Sequence, residues 1–231
     1  MTKVDFDSIV SYFFDKRLYK PGEIGVTEAL WCPRKPFFRI VFNSRIRPNR
    51  NMAMGALAHY AVQKYIRELY KDSKIEEEVE VRFDLGNGYY LKGDVDIIVD
   101  GIPYELKYPV SDKPNPQVEP FYMAQLNAYL NMLDVDYGYL IEFFFTDSGV
   151  QVHEVRVDRE YHSFSLLIDR AKKITDAVKQ GKIPQKSLFD WECRRCQYRV
   201  ICKHLPEEVH IPEYGYSEVS LYDYDTGDDR E

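Results

Sequence analysis

Over much of Val79–Tyr108 polar and apolar residues alternate, a period of two that marks strands with one buried face. Two turns divide the run. Gly86-Asn87-Gly88 separates "EEEVEVRFDL" from "YYLKGDVDIIV", and Asp100-Gly101 separates that strand from "IPYELKY". Upstream, "NMAMGALAHYAVQKYIRELYK" is rich in Ala and repeats Val62, Ile66 and Leu69 at helical spacing. Residues 1–20 show the same spacing in Phe6, Ile9, Val10 and Phe13, which predicts a short helix. Thr27 is placed to cap another short helix, which Pro33 and Pro36 interrupt just after Cys32. A Pro-rich loop, "DKPNPQVEP", leads into the helix "FYMAQLNAYLNML". "YGYLIEFFF" and "VQVHEVRV" flank Asp147-Ser148-Gly149 as a second hairpin, and a long helix follows to Gly181, its C-cap. No internal repeat is visible. The order of elements predicts an α/β or α+β domain with helices packed on a central, mostly antiparallel sheet.

The Asp100-Gly101 turn makes the register readable. With these two residues as the loop, Val99 faces Ile102, Asp96 faces Glu105 and Asp94 faces Lys107. Directly opposed side chains have Cβ atoms about 5 Å apart. The period of two predicts all four charged residues on one face, with Val95, Ile97, Val99, Ile102, Tyr104 and Leu106 on the core face. Two opposed carboxylates repel unless one is protonated or a cation lies between them. Hard divalent ions such as Mg²⁺ and Mn²⁺ suit that position. An ordinary exposed sheet face with an Asp94–Lys107 salt bridge accounts for the same pattern.

Asp96…Glu105-Leu106-Lys107 resembles the D…(D/E)xK core of the PD-(D/E)xK nuclease superfamily. The resemblance is closer to the RecB-type branch, whose further motifs have matches in order. Gly55-Ala-Leu-Ala-His59 lies on a helix before the hairpin, Gly93-Asp94-Val95-Asp96 on the first strand, and Gln125-Leu-Asn-Ala-Tyr129 on the helix after it. The resemblance implies a restriction-endonuclease-like fold, a central mixed sheet flanked by helices. It implies that Asp96, Glu105, the carbonyl of Leu106 and His59 hold a divalent metal, Mn²⁺ or Mg²⁺. Lys107 would orient or activate the attacking water, and Gln125 and Tyr129 would contact DNA phosphate. Asp94 is expected to support Lys107 from beside the site.

Three of the four cysteines fall in "CRRCQYRVIC", as Cys193, Cys196 and Cys202, and Cys32 stands far upstream. Four thiolates suit zinc or an iron–sulfur cluster. The one-plus-three arrangement resembles the iron–sulfur staple of AddB-type nucleases, which implies a [4Fe-4S] cluster, or a [2Fe-2S] cluster with the same ligand count, joining the N- and C-terminal regions.

The net charge of −7 hides an uneven distribution. Nine acidic residues and one arginine lie in Pro206–Glu231. Ala29–Arg67 has no acidic residue but carries Arg34, Lys35, Arg39, Arg45, Arg47, Arg50, Lys64 and Arg67. Such a segment suits phosphate binding or a solvated basic loop, whatever the overall charge. Arg34 to Arg50 are the expected DNA contacts. The acidic segment is expected as a tail (206–231) on a nuclease domain (1–205), either solvated or docking on a basic surface. No apolar run approaches the roughly 20 residues of a membrane span. The first residues lack a secretory signal pattern, so the expected compartment is the cytoplasm.

A RecB-like domain of this size with these cysteines most resembles the CRISPR-associated RecB-type exonucleases, the fourth numbered Cas family. That resemblance implies 5′→3′ cleavage of single-stranded DNA, a role in trimming DNA before spacer integration, and the integrase complex as a partner. A RecB/AddB-like repair nuclease has the same motifs. A cluster-bearing DNA-binding subunit with an idle nuclease site is the reading outside enzymes.

Overall fold

A computed structural model describes residues 19–44, 50–109, 111, 113–186, 190–194 and 196–204. Most of the helix expected over residues 1–20, together with Arg45, Arg47 and the acidic segment, lies outside them. Among the described residues six strands form one mixed sheet: β1 (Glu23–Gly25), β2 (Ile75–Gly86), β3 (Tyr89–Val99), β4 (Ile102–Lys107), β5 (Tyr137–Thr146) and β6 (Gly149–Asp158). The described helices are α1 (Val26–Leu30), α2 (Arg34–Val41), α3 (Arg50–Leu69), α4 (Glu119–Leu133), α5 (Tyr161–Gln180), α6 (Asp190–Arg194) and α7 (Arg199–His204).

Local chemistry accounts for most boundaries. Asp100 and Gly101 both adopt positive φ, 49° and 85°, as a two-residue hairpin loop requires. The β3–β4 ladder follows the expected register, with Val99 opposite Ile102 and Ile97 opposite Tyr104. Gly181 ends α5 in the left-handed conformation. Thr27 does not cap α1: Gly25 is the N-cap, and the Glu28 carboxylate accepts its N–H at 3.1 Å. Pro36 does not end a helix either. It lies in the first turn of α2, where a missing N–H costs nothing.

The sheet is covered on both faces. Val79, Val81, Leu91, Val95 and Ile98 pack with Ala128 and Tyr129 of α4 and Phe164, Leu167 and Ile168 of α5. On the other face Ile97, Leu106 and Ile141 pack with Val62 and Ile66 of α3. Ile97, Val99, Tyr104 and Leu106 share that face as expected, whereas Val95 lies on the opposite one. The alternation slips at Asp96. Glu78, at the facing position of β2, has φ 49°, and the β2–β3 ladder omits that pair while keeping one register on both sides.

β2 runs along one whole edge of β3, so β1 and β4 share the other. β1 pairs with Tyr90–Lys92 and β4 with Ile97–Val99. Gly93 to Asp96 has no ladder partner there, which leaves a notch in the sheet. Among the described residues no helix is long and apolar enough to cross a membrane.

Candidate active site

The notch gathers the predicted residues. Asp96 is 7% exposed, and its Oδ2 accepts the Leu106 N–H at 2.7 Å where a β3–β4 ladder bond would otherwise continue. Its Oδ1 is 3.4 Å from His59 Nδ1, presented by α3. Glu105 is fully buried. Its Oε1 is 2.5 Å from Lys107 Nζ, while its Oε2 is buried without a hydrogen-bond partner among the described residues. Lys107 also donates to Gln125 Oε1 at 3.1 Å and lies over the Tyr122 ring at 5.0 Å. Gln125 in turn donates to Tyr129 Oη at 2.9 Å, an i,i+4 pair on α4.

Gly93 makes this packing possible. A Cβ there would come within 2.2 Å of Tyr129 Cε1, so only glycine lets the buried ring lie against β3. The glycine of the Gly-x-x-Asp match and the tyrosine of the Gln-x-x-x-Tyr match thus serve one contact.

One expected contact is absent. Asp94 does not lie opposite Lys107. Its ladder partner is Glu80, and it pairs with Lys92 at 3.8 Å on the far side of the slipped alternation. Gln125 and Tyr129, 7% and 2% exposed, are buried against each other, and Gln125 accepts from Lys107. Two residues were overlooked. Gln63, one helical turn beyond His59, donates to the Asp96 carbonyl at 2.6 Å and to Glu78 Oε1 at 3.2 Å. The i,i+4 spacing from His59 was its signal. Glu78 lay hidden in a run of three glutamates.

The donor set fits a divalent cation. One ligand atom each from His59, Glu78 and Asp96 lies within 4.8 Å of the others, and the unpaired Glu105 Oε2 adds a buried acceptor. Burial, then the charge of Asp96, raises the Glu105 pKa to about 7 in the metal-free chain. Burial alone would lower Lys107, but Glu105 and Asp96 outweigh it and hold the amine protonated. Because the Glu105 pKa is raised on folding, its proton favours the metal-free fold at low pH. That contribution fades as pH rises through about 7. A cation binding through Glu105 must displace this proton. Mn²⁺ affinity is therefore expected to rise about tenfold per pH unit below about 7 and to level off above it, read by titration calorimetry in two buffers of different ionisation enthalpy. A pH-independent affinity with no proton release would remove Glu105 from the ligand set.

Three of the cysteines, Cys32, Cys196 and Cys202, lie near one another beside α2. Cys32 precedes it, and Cys196 and Cys202 pack with Phe37, Phe38, Val178 and Tyr198. Burial raises the Cys196 pKa; Lys35 opposes this, while Cys32 and Cys202 reinforce it. Cys196 N–H donates to the Cys193 carbonyl at 3.3 Å, which folds the Cys-x-x-Cys segment into a turn. Arg34 donates to Cys202 Sγ at 3.2 Å and to the Pro184 carbonyl at 2.9 Å. Three neighbouring thiols with Arg34 and Lys35 beside them suit an anionic thiolate site. Arg34 and Lys35, expected as DNA contacts, thus lie with the cysteines. Arg39 is 8% exposed and forms a two-pronged pair with Glu28 at 2.7 and 2.8 Å, so it belongs to the core. Of the expected basic contacts, Arg50 is described and exposed.

Residues 28–203 match the family model of the PD-(D/E)XK nuclease superfamily. The chain is 27% identical to a CRISPR-associated exonuclease Cas4 of Thermoproteus tenax, over 80% of this chain and 94% of that protein. It is 23% identical to one of Saccharolobus solfataricus, over 78% and 86%. The fold resembles the crystal structure of SSO0001, with a TM-score of 0.66 and 19% identity over 89% of this chain and 98% of that one. It also resembles an alkaline exonuclease of Laribacter hongkongensis, with a TM-score of 0.52 and 14% identity over 73% and 92%. With the family pattern matched over most of its length, and its acidic and lysine residues gathered in one notch of the sheet, the chain belongs to the PD-(D/E)XK nuclease superfamily.

Proposed function

We propose that the chain is a CRISPR-associated exonuclease that degrades single-stranded DNA from the 5′ end, uses Mn²⁺ or Mg²⁺, and carries an iron–sulfur cluster on Cys32, Cys193, Cys196 and Cys202. The observation that carries the catalytic part is Glu105. It is buried, with one oxygen on Lys107 and the other unpaired, beside the Asp96 carboxylate. A stable fold gains nothing from such a group unless a cation completes it.

A bound divalent cation polarises the scissile phosphate and lowers the pKa of water. Asp96, Glu105, His59 and the Leu106 carbonyl would hold it. Lys107, charged and fixed by Glu105 and Gln125, would position the attacking water and stabilise charge growing on the phosphoryl oxygens. Tyr129 acts through Gln125, keeping that amide oxygen turned toward Lys107. Arg50 lies at the start of α3, the helix that carries His59, and would meet the phosphate backbone together with Arg45 and Arg47.

The names of the two Cas4 relatives favour a CRISPR-associated role over DNA repair; within it the chain would act in adaptation, with the spacer integrase as its partner. The nuclease domain would span residues 1–205 in the cytoplasm, with 206–231 as an acidic appendage. End-labelled single strands with Mn²⁺ test the polarity. A 5′ label should appear at once in short products, while a 3′-labelled strand shortens progressively. The reverse pattern, or equal cutting of circular single strands, would overturn 5′→3′ exonuclease action.

A further inference from the structure

We propose that Glu78 is a ligand of the catalytic cation; this rests on the nuclease reading of the site and adds a residue that none of the nuclease motifs contains. Glu78 lies inside β2, near its start, with φ 49°, a backbone conformation that residues other than glycine rarely adopt. The ladder is in register on both sides, Glu77 with Ile97 and Val79 with Val95, so the outlier is confined to the position facing Asp96. A strained residue at such a place points toward function.

The side chains explain what the strain achieves. Gln63 Nε2 holds Glu78 Oε1 at 3.2 Å and the Asp96 carbonyl at 2.6 Å, tying the two facing residues together. His59, one turn earlier on α3, brings Nδ1 to 3.4 Å from Asp96 Oδ1. One atom each from His59, Glu78 and Asp96 then lies within 4.8 Å of the others. Two carboxylates that close disfavour each other without a cation, and a nitrogen with two oxygens suits Mn²⁺. Glu78 is exposed while Asp96 is buried, so an ion can arrive from solvent over Glu78. The hydrogen bond from Gln63 asks only for an acceptor, which a neutral amide also supplies.

The test is Mn²⁺ binding to the purified full chain without DNA, followed by electron paramagnetic resonance. Glu78→Gln keeps length and the Gln63 bond but removes the charge. It should weaken Mn²⁺ at least about tenfold while leaving the melting temperature in EDTA unchanged or higher. Glu78→Gly, which accommodates positive φ, is the second variant should the first misfold, and carries the same expected loss. Wild-type Mn²⁺ affinity in both variants would overturn the proposal. If Glu105→Gln then loses Mn²⁺ and cleavage, the nuclease reading stands without Glu78. A wild-type chain that neither binds Mn²⁺ nor cuts DNA overturns both.

Discussion

Lys107→Ala is expected to lower the single-turnover cleavage rate at least about 10³-fold, the scale of losing one fixed charge at a developing oxyanion. Single-stranded DNA affinity should stay within about threefold, because an amine this deep adds little to the phosphate contacts that dominate binding. Lys107 is 19% exposed, and its ammonium is held on three sides by Glu105, Gln125 and Tyr122. Glu105 would lose a charge that lowers its pKa and would hold its proton to higher pH. Lys107→Met, which keeps the volume, should be equally inactive, separating charge from packing. Fluorescence anisotropy and a quenched-flow assay on the same protein read both quantities. Cleavage at the wild-type rate in either variant would take Lys107 out of the reaction.

Cys196→Ser is expected to turn a brown protein pale, with loss of absorbance near about 400 nm and of bound iron. Cys32 and Cys193–Cys202 are far apart in sequence, and the segment between them contains β2–β6 and α2–α5. Linking ends that distant removes about 5 kcal/mol of unfolded-state entropy by the cross-link model. For a chain of this size that corresponds to a melting temperature roughly 10 °C lower once the link is lost. Removing one thiol also leaves Arg34 beside an incomplete anionic site. A colourless wild-type protein that carries zinc, with no iron, would defeat the cluster assignment. So would a Cys196→Ser protein with unchanged colour.

Three hairpin and helix signals survive intact because their causes are local. Asp-Gly dictates a turn with two positive φ values, that turn fixes the register of β3 on β4, and helical spacing puts Gln125 and Tyr129 on one face. The register brings Asp96 and Glu105 together, as expected. It fails one step further on, at Asp94 and Lys107, because β4 leaves β3 after Ile97–Tyr104 and pairs with β5.

What the sequence determined by itself is therefore the set of chemical groups and the elements that carry them: His59 on a helix, Asp96 and Glu105-Leu106-Lys107 on paired strands, four cysteines in a one-plus-three array. Tertiary structure decided which of those groups meet. The three-residue strand β1 is too short for a period to reveal, yet by pairing with Tyr90–Lys92 it helps open the notch. Glu78 adopts left-handed backbone that no residue type announces, and that slip turns Asp94 away while Asp96 stays at the site. Arg39 looks like a DNA contact until Glu28 is seen to hold it in the core. Periodicity records how each residue relates to its own element, whereas these outcomes depend on which distant backbone lies alongside it.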